Sequence, residues 1–143
     1  MTRIILVLAL LCAPFAPSYA QDSILGKWKT IDEATGKPKA VVEIYMVNGK
    51  AHGKIIKLFR SADQEQDPVC DKCTGTEKGK KVIGLEILKG MNKDVDEWED
   101  GTIIDAESGK TYDCKMWLEE GKLMIRGYIA FFFRTQEWIA YKG

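Results

Sequence analysis

The chain has 143 residues, 45% of them hydrophobic, with 21 Lys and Arg balancing 21 Asp and Glu and a single histidine. That length supports one domain with its own core, and so even a charge balance gives no electrostatic case for nucleic acid or an anionic membrane as partner. With one histidine and no G-x-S-x-G, H-E-x-x-H or glycine-rich phosphate loop, neither an enzymatic activity nor a cofactor is expected.

The amino-terminal stretch reads as an export signal. Arg3 supplies positive charge, Ile4 to Ala13 an apolar run, and Ser18-Tyr19-Ala20 a small-x-small cleavage site. The expectation is a signal peptide over residues 1–20, cleavage before Gln21, and a single mature domain over residues 21–143, carried across the inner membrane to the periplasm. Lipid attachment at Cys12 is disfavoured by the bulky Leu11 before it. No stretch approaches the ~20 apolar residues of a membrane-spanning helix, so no transmembrane segment is expected.

Beyond Gln21 the chain is a succession of short alternating segments. Ala40, Val42, Ile44 and Met46 share one face of a strand, and Tyr112, Cys114, Met116 and Leu118 another. Leu123, Ile125, Gly127 and Ile129 repeat the pattern. Period two with one apolar face marks half-buried strands, predicted at about 25–31, 38–47, 50–59, 82–90, 94–99, 101–105, 110–119, 122–130 and 131–141. Between them stand Thr35-Gly36, Asn48-Gly49, Asp100-Gly101, Ser108-Gly109 and Glu120-Gly121, where glycine admits the positive φ that tight reversals need. IDEATGK (Ile31 to Lys37) and IDAESGK (Ile104 to Lys110) echo each other as two similar strand-end turns. Eight or nine strands in hairpin succession predict an all-β, antiparallel up-and-down barrel, because closure removes exposed edges.

One long polar segment, residues 60–81, interrupts this rhythm and holds Cys70 and Cys73. A loop of that length in a compact domain needs fastening or serves a function. In an oxidising compartment a Cys70–Cys73 disulfide is the first expectation. The alternatives are a bridge to Cys114, a Cys3His metal set with Cys114 and His52, or redox chemistry. Against a metal, Cys114 alternates with core residues while His52 shares a face with Lys54; against redox chemistry, no helix follows Cys70 to lower its pKa. Cys114 then remains a small buried hydrophobe.

Gly26-Lys27-Trp28, DPVCDKC (Asp67 to Cys73), IGLEIL (Ile83 to Leu88), GKTYDCKMWLE (Gly109 to Glu119), Arg126-Gly127-Tyr128 and RTQEW (Arg134 to Trp138) together form a distinctive order. In this the chain resembles the bacterial exported family numbered 2147 among domains of unknown function. The resemblance implies a lipocalin-like, calycin-type barrel and no particular reaction. Gly26-x-Trp28 on the first strand and Arg134 on the last are similar to the closure pair of lipocalins and fatty-acid-binding proteins, with the guanidinium expected to stack on the Trp28 indole.

A barrel of this size either fills itself or holds a small molecule. The leading expectation is a small hydrophobic or amphipathic ligand in the interior, lined by Ile44, Tyr112, Met116, Ile125, Phe131 and Phe133. Tyr112 or Glu86 would be the polar handle, Glu86 only if it points inward to an arginine partner. The alternative is a filled barrel acting as an interaction or structural protein of the envelope, working through the 60–81 loop and the Phe131-Phe132-Phe133 stretch, in which Phe132 is either covered or part of a contact patch. The volume of the interior decides between them.

Overall fold

Period-two alternation folds into eight strands. In the computed structural model, which describes residues 23–143, these are β1 (Gly26–Ile31), β2 (Pro38–Val47), β3 (Lys50–Leu58), β4 (Glu86–Asp94), β5 (Glu97–Ile104), β6 (Thr111–Glu119), β7 (Lys122–Ile129) and β8 (Phe132–Ala140). The expected signal segment and Gln21 lie outside the described residues. Each strand pairs antiparallel with the next, and β1 closes on β8 with Trp28 opposite Ala140 and Lys29 opposite Ile139. Closure pairs every strand on both sides, so no edge is left open. Helix is confined, among the described residues, to one 3-10 turn at Gly75–Glu77.

Two of the expected strands are one. Residues 94–99 and 101–105 merge into β5, β4 runs on to Asp94, and the reversal falls at Val95, with φ 53°. Asp100-Gly101 is a β-bulge instead of a turn, with the β5–β6 register slipping between Trp98 and Gly101. A Cβ on Gly101 would stand 2.5 Å from the Lys89 carbonyl oxygen and 2.9 Å from the Met91 nitrogen. Glycine is needed there for close backbone approach. The expected strand at 82–90 likewise starts later, at Glu86.

The echoed sequences build the same loop twice. In the first, Asp32 N–H donates to the Lys37 carbonyl at 2.9 Å and Gly36 N–H to the Asp32 carbonyl at 2.7 Å. In the second, Asp105 and Lys110, then Gly109 and Asp105, repeat both bonds at 2.9 and 2.7 Å. The aspartate carboxylates also accept from the backbone two residues on, at Ala34 and Glu107, as Asx turns do. Both loops lie at the same end of the barrel, with the β7–β8 turn and the long segment between β3 and β4. The chain enters β1 and leaves β8 at the opposite end.

One hydrophobic cluster fills the space between. Trp28, Leu88, Met91, Met116, Leu123 and Trp138 are fully or almost fully buried and belong to it together with Ile44 and Ile125. Trp28 donates its indole N–H to the Ile24 carbonyl at 2.8 Å, so the segment before β1 folds beneath the barrel. A Cβ on Gly53 would already press on Leu88 and Val42 at 3.1 Å, which shows how close the packing is.

The Cys70–Cys73 disulfide forms, and both residues are buried in that same cluster. Cys114 is free and buried. The long segment folds on itself, with Cys70 N–H donating to the Lys80 carbonyl and Gly79 N–H to the Cys70 carbonyl. Its tip rests on the second echoed loop: Cys70 Sγ lies 3.5 Å from the Ala106 carbonyl oxygen, and a Cβ on Gly109 would collide with the Lys72 carbonyl. Lys39 on β2 reaches Glu107 in that loop at 2.9 Å. Loop packing thus covers much of this end.

Arg134 does not stack on Trp28. Its guanidinium pairs with Glu33 in the first echoed loop and is largely exposed, whereas Trp28 is buried. The long side chain reaches the solvated rim, where a carboxylate partner costs less desolvation than an indole in the core.

Candidate binding surface at the loop end of the barrel

The residues expected to line one chamber are dispersed. Ile44, Met116 and Ile125 face inward and are packed into the core. Tyr112 is half-buried near the loop end. Phe131 and Phe133 are corrected outward: they are 100% and 61% exposed. Phe131 stands in the two-residue β7–β8 turn after Ala130, which takes φ 52°, and Phe133 shares the outer face of β8 with Thr135.

Glu86 also faces outward. It accepts the Tyr45 hydroxyl at 2.9 Å and lies 3.0 Å from His52 Nδ1. Burial, followed by the bond to Glu86, pushes the Tyr45 phenol up to about 12. Tyr45 and His52 are cross-strand partners with ring centroids 6.0 Å apart, and Lys54 sits over the Tyr45 ring at 5.4 Å. This is a pillar of paired side chains across β2, β3 and β4. The Cys3His set is not assembled, since Cys70 and Cys73 are bonded to each other and His52 is on the outer face. Among the described residues no group of three or more His, Cys, Asp or Glu is placed to hold a metal ion.

Two clefts open at the loop end. The smaller, about 140 Å³, lies among Cys73, Thr74, Glu77, Lys89, Thr102 and Ile104. The Lys89 ammonium donates to Glu77 within it, and that bond, with a second from Thr76, holds the Glu77 carboxyl at about 2. The larger, about 600 Å³, is a broad groove between the disulfide loop, the second echoed loop and the ends of β6 and β7. Lys72, Thr74, Ser108, Lys110, Thr111, Tyr112, Tyr128 and Ile129 line it. Neither cleft is lined by Ile44, Met116 or Ile125.

Beside the groove is an apolar ridge. Ile129, Phe131, Phe132 and Phe133 are all exposed, Phe132 by 77%. Behind it Arg126 is sandwiched between Trp117 and Phe133, with its guanidinium carbon 4.9 and 4.4 Å from the two ring centroids. Its Nε donates to Thr135 Oγ1 at 2.9 Å. Such cation–π stacking holds both side chains upright on the sheet. The groove therefore offers two ammonium groups, several hydroxyls and no carboxylate on one side, and exposed aromatics on the other.

Lys72, Lys110, Tyr128 and Ile129 escaped the sequence reading as site residues. The second echoed loop was the available signal, since it ends at Lys110 and meets the disulfide tip through Gly109.

An eight-stranded closed barrel with a plugged lower end and a loop-covered upper end defines a lipocalin-like β-barrel protein. In agreement, the fold is similar to that of protein HP1028 from Helicobacter pylori, described as belonging to the lipocalin family, at 17% identity and a TM-score of 0.69 over 84% of each chain. The chain belongs to the family described as "Uncharacterized protein conserved in bacteria (DUF2147)", whose model matches residues 26–140. No curated protein matches it.

Proposed function

We propose that this is an exported, non-enzymatic binding protein of the bacterial envelope that takes a small amphipathic molecule in the groove at its loop end. The observation that carries this is the groove of about 600 Å³, lined by Lys72, Lys110, Tyr112, Tyr128 and Ile129 beside exposed phenylalanines. A ligand with an anionic or polar head and an apolar body matches both sides, because few well-placed polar groups on an otherwise apolar wall set orientation. The interior is the less favoured location, since Ile44, Met116 and Ile125 already pack against Trp28, Trp138 and Leu88. Export is supported by Arg3, the apolar run Ile4 to Ala13 and Ser18-Tyr19-Ala20, and a disulfide accords with an oxidising compartment.

The test is titration with an anionic naphthalene sulfonate dye. Saturable binding to the folded protein, weakened at least fivefold by Lys110→Gln and Ile129→Ser and unchanged by Ile44→Val, is the expected result. Equal weakening by the interior variant would move the ligand back inside the barrel.

The filled barrel also favours a second reading, in which the loop end is a contact surface and nothing small is carried. Phe131, exposed over its whole side chain, is the observation behind it.

A further inference from the structure

Ile129, Phe131, Phe132 and Phe133 project from a two-residue turn at the extremity of β7 and β8. Nothing in the hairpin requires a bulky residue there. The positive-φ turn position is held by Ala130, and Phe131 touches none of the core. Large apolar groups clustered at a protruding tip are costly in water and mark a contact with an apolar phase or partner.

The charges around the tip say which. Lys72 and Lys110 line the adjoining groove, and no carboxylate is among its lining residues. The nearby carboxylates Glu33 and Glu107 are taken up by Arg134 and Lys39, while Asp71, Asp105 and Asp113 are exposed outside the groove lining. Behind the phenylalanines come Tyr128, beside Phe133, and then Arg126 stacked on the same ring, the tyrosine being a residue type that settles where acyl chains give way to headgroups. The order from the tip inward is apolar, then aromatic with a polar end, then cationic. That is the order of a bilayer surface met from its core outward, and the overall charge balance conceals it.

We infer that the loop end docks on an anionic phospholipid bilayer, with Phe131 and Phe132 entering the acyl region and Lys72 and Lys110 meeting lipid phosphates. This rests on the loop end being the working surface and adds the partner. The groove then opens at the membrane, where an amphipathic molecule would be found.

Sedimentation of the purified protein with vesicles tests it. Vesicles of phosphatidylcholine containing about one third phosphatidylglycerol should carry the protein down, and phosphatidylcholine alone should carry down much less. Raising salt should release it, as surface charges are screened within about 10 Å at 0.1 M. Lys72→Gln and Lys110→Gln should each weaken binding roughly fivefold, and Phe131→Ser with Phe132→Ser tenfold or more. Those positions are exposed, so circular dichroism and melting should match the parent. Phe131→Trp should gain a fluorescence component quenched by lipids brominated on the acyl chain.

Equal binding to neutral vesicles, or sedimentation that survives the double serine change, overturns the inference. A protein that stays in the supernatant while still binding the sulfonate dye overturns it too and leaves the groove reading standing. Vesicle binding without dye binding supports the docking and removes only the small ligand.

Discussion

Arg134 on β8 donates through Nε, at 2.8 Å, to Glu33 in the loop between β1 and β2, and so ties the rim of the barrel across the seam where its first and last strands close. The seam itself is short, with two registered pairs. The pair draws the first echoed loop toward the β7–β8 hairpin that carries the phenylalanines. Trp28, which shares the seam, is held by different partners.

That separation has a measurable consequence. Trp28→Ala removes a buried indole and should cost about 3–5 kcal/mol. Arg134→Lys should cost no more than the ~1 kcal/mol of an exposed ion pair, and less as salt rises. Because the residues do not touch, the double variant should equal the sum within about 0.5 kcal/mol in chemical denaturation. Strong coupling would mean that the guanidinium reaches the indole in solution.

Cys114 and Tyr45 set the alkaline limit. Burial pushes the Cys114 thiol from 9.0 to about 12, and burial with the Glu86 bond pushes Tyr45 from 10.0 to about 12. Between the two values the unfolded chain gives up protons that the folded chain keeps. Their contribution is therefore full below the ordinary pKa and is lost as pH rises toward about 12. Melting curves from pH 8 to 11.5 should fall less steeply in Cys114→Val and in Tyr45→Phe than in the parent. Parallel curves would show that neither proton is linked to folding. The same burial predicts that Cys114 alkylates only after unfolding, with Cys70 and Cys73 appearing only after reduction.

Glu77 sets an acid-side counterpart in the long loop. The Lys89 bond holds its carboxyl at about 2, below the ordinary 4.5, so its contribution is present above the ordinary value and lost as pH falls toward about 2. Lys89→Met should raise cleavage by a nonspecific protease between residues 60 and 81 at pH 7 and reduce its change on acidification. Unaltered cleavage would show that the disulfide and the core contacts hold the loop without this pair.

Alternation made most of the barrel legible, because a strand with one buried side writes its orientation into every second residue. Ala40, Val42 and Ile44 did so, and each is buried. The pattern says less where backbone geometry or side-chain length decides. Asp100-Gly101 has the composition of a turn but serves a bulge, since the demand on Gly101 comes from Lys89 and Met91 on the neighbouring strand. The real β7–β8 turn uses Ala130 at positive φ, so nothing in its composition announces it, and the strand expected from residue 131 turned Phe131 and Phe133 toward the interior. The groove was invisible for a related reason. Its walls come from two loops and two strand ends distant in sequence, and only the fold brings Lys72 and Lys110 to one groove.

Gly109 joins those walls. It holds φ 73° in the second echoed loop, and a Cβ there would collide with the Lys72 carbonyl and stand 2.7 Å from the Cys73 nitrogen. It also borders both clefts. Gly109→Ala therefore imposes two costs, an unfavourable left-handed conformation and displacement of the disulfide tip, together roughly 1–3 kcal/mol. The strands do not depend on this contact, so far-ultraviolet circular dichroism should be unchanged. The tip should lift from the loop, moving Lys72 away from Lys110. Dye affinity should fall several-fold, and amide exchange at Cys70 and Gly79, now bonded within the loop, should rise. Gly36→Ala is the control: it has a similar φ of 70° and no atom within 4 Å of the added carbon. It should share the conformational cost and leave dye binding intact. Equal loss of binding in both variants would mean that the dye senses general loosening, and the assignment of the groove to the Lys72–Gly109 contact would fall.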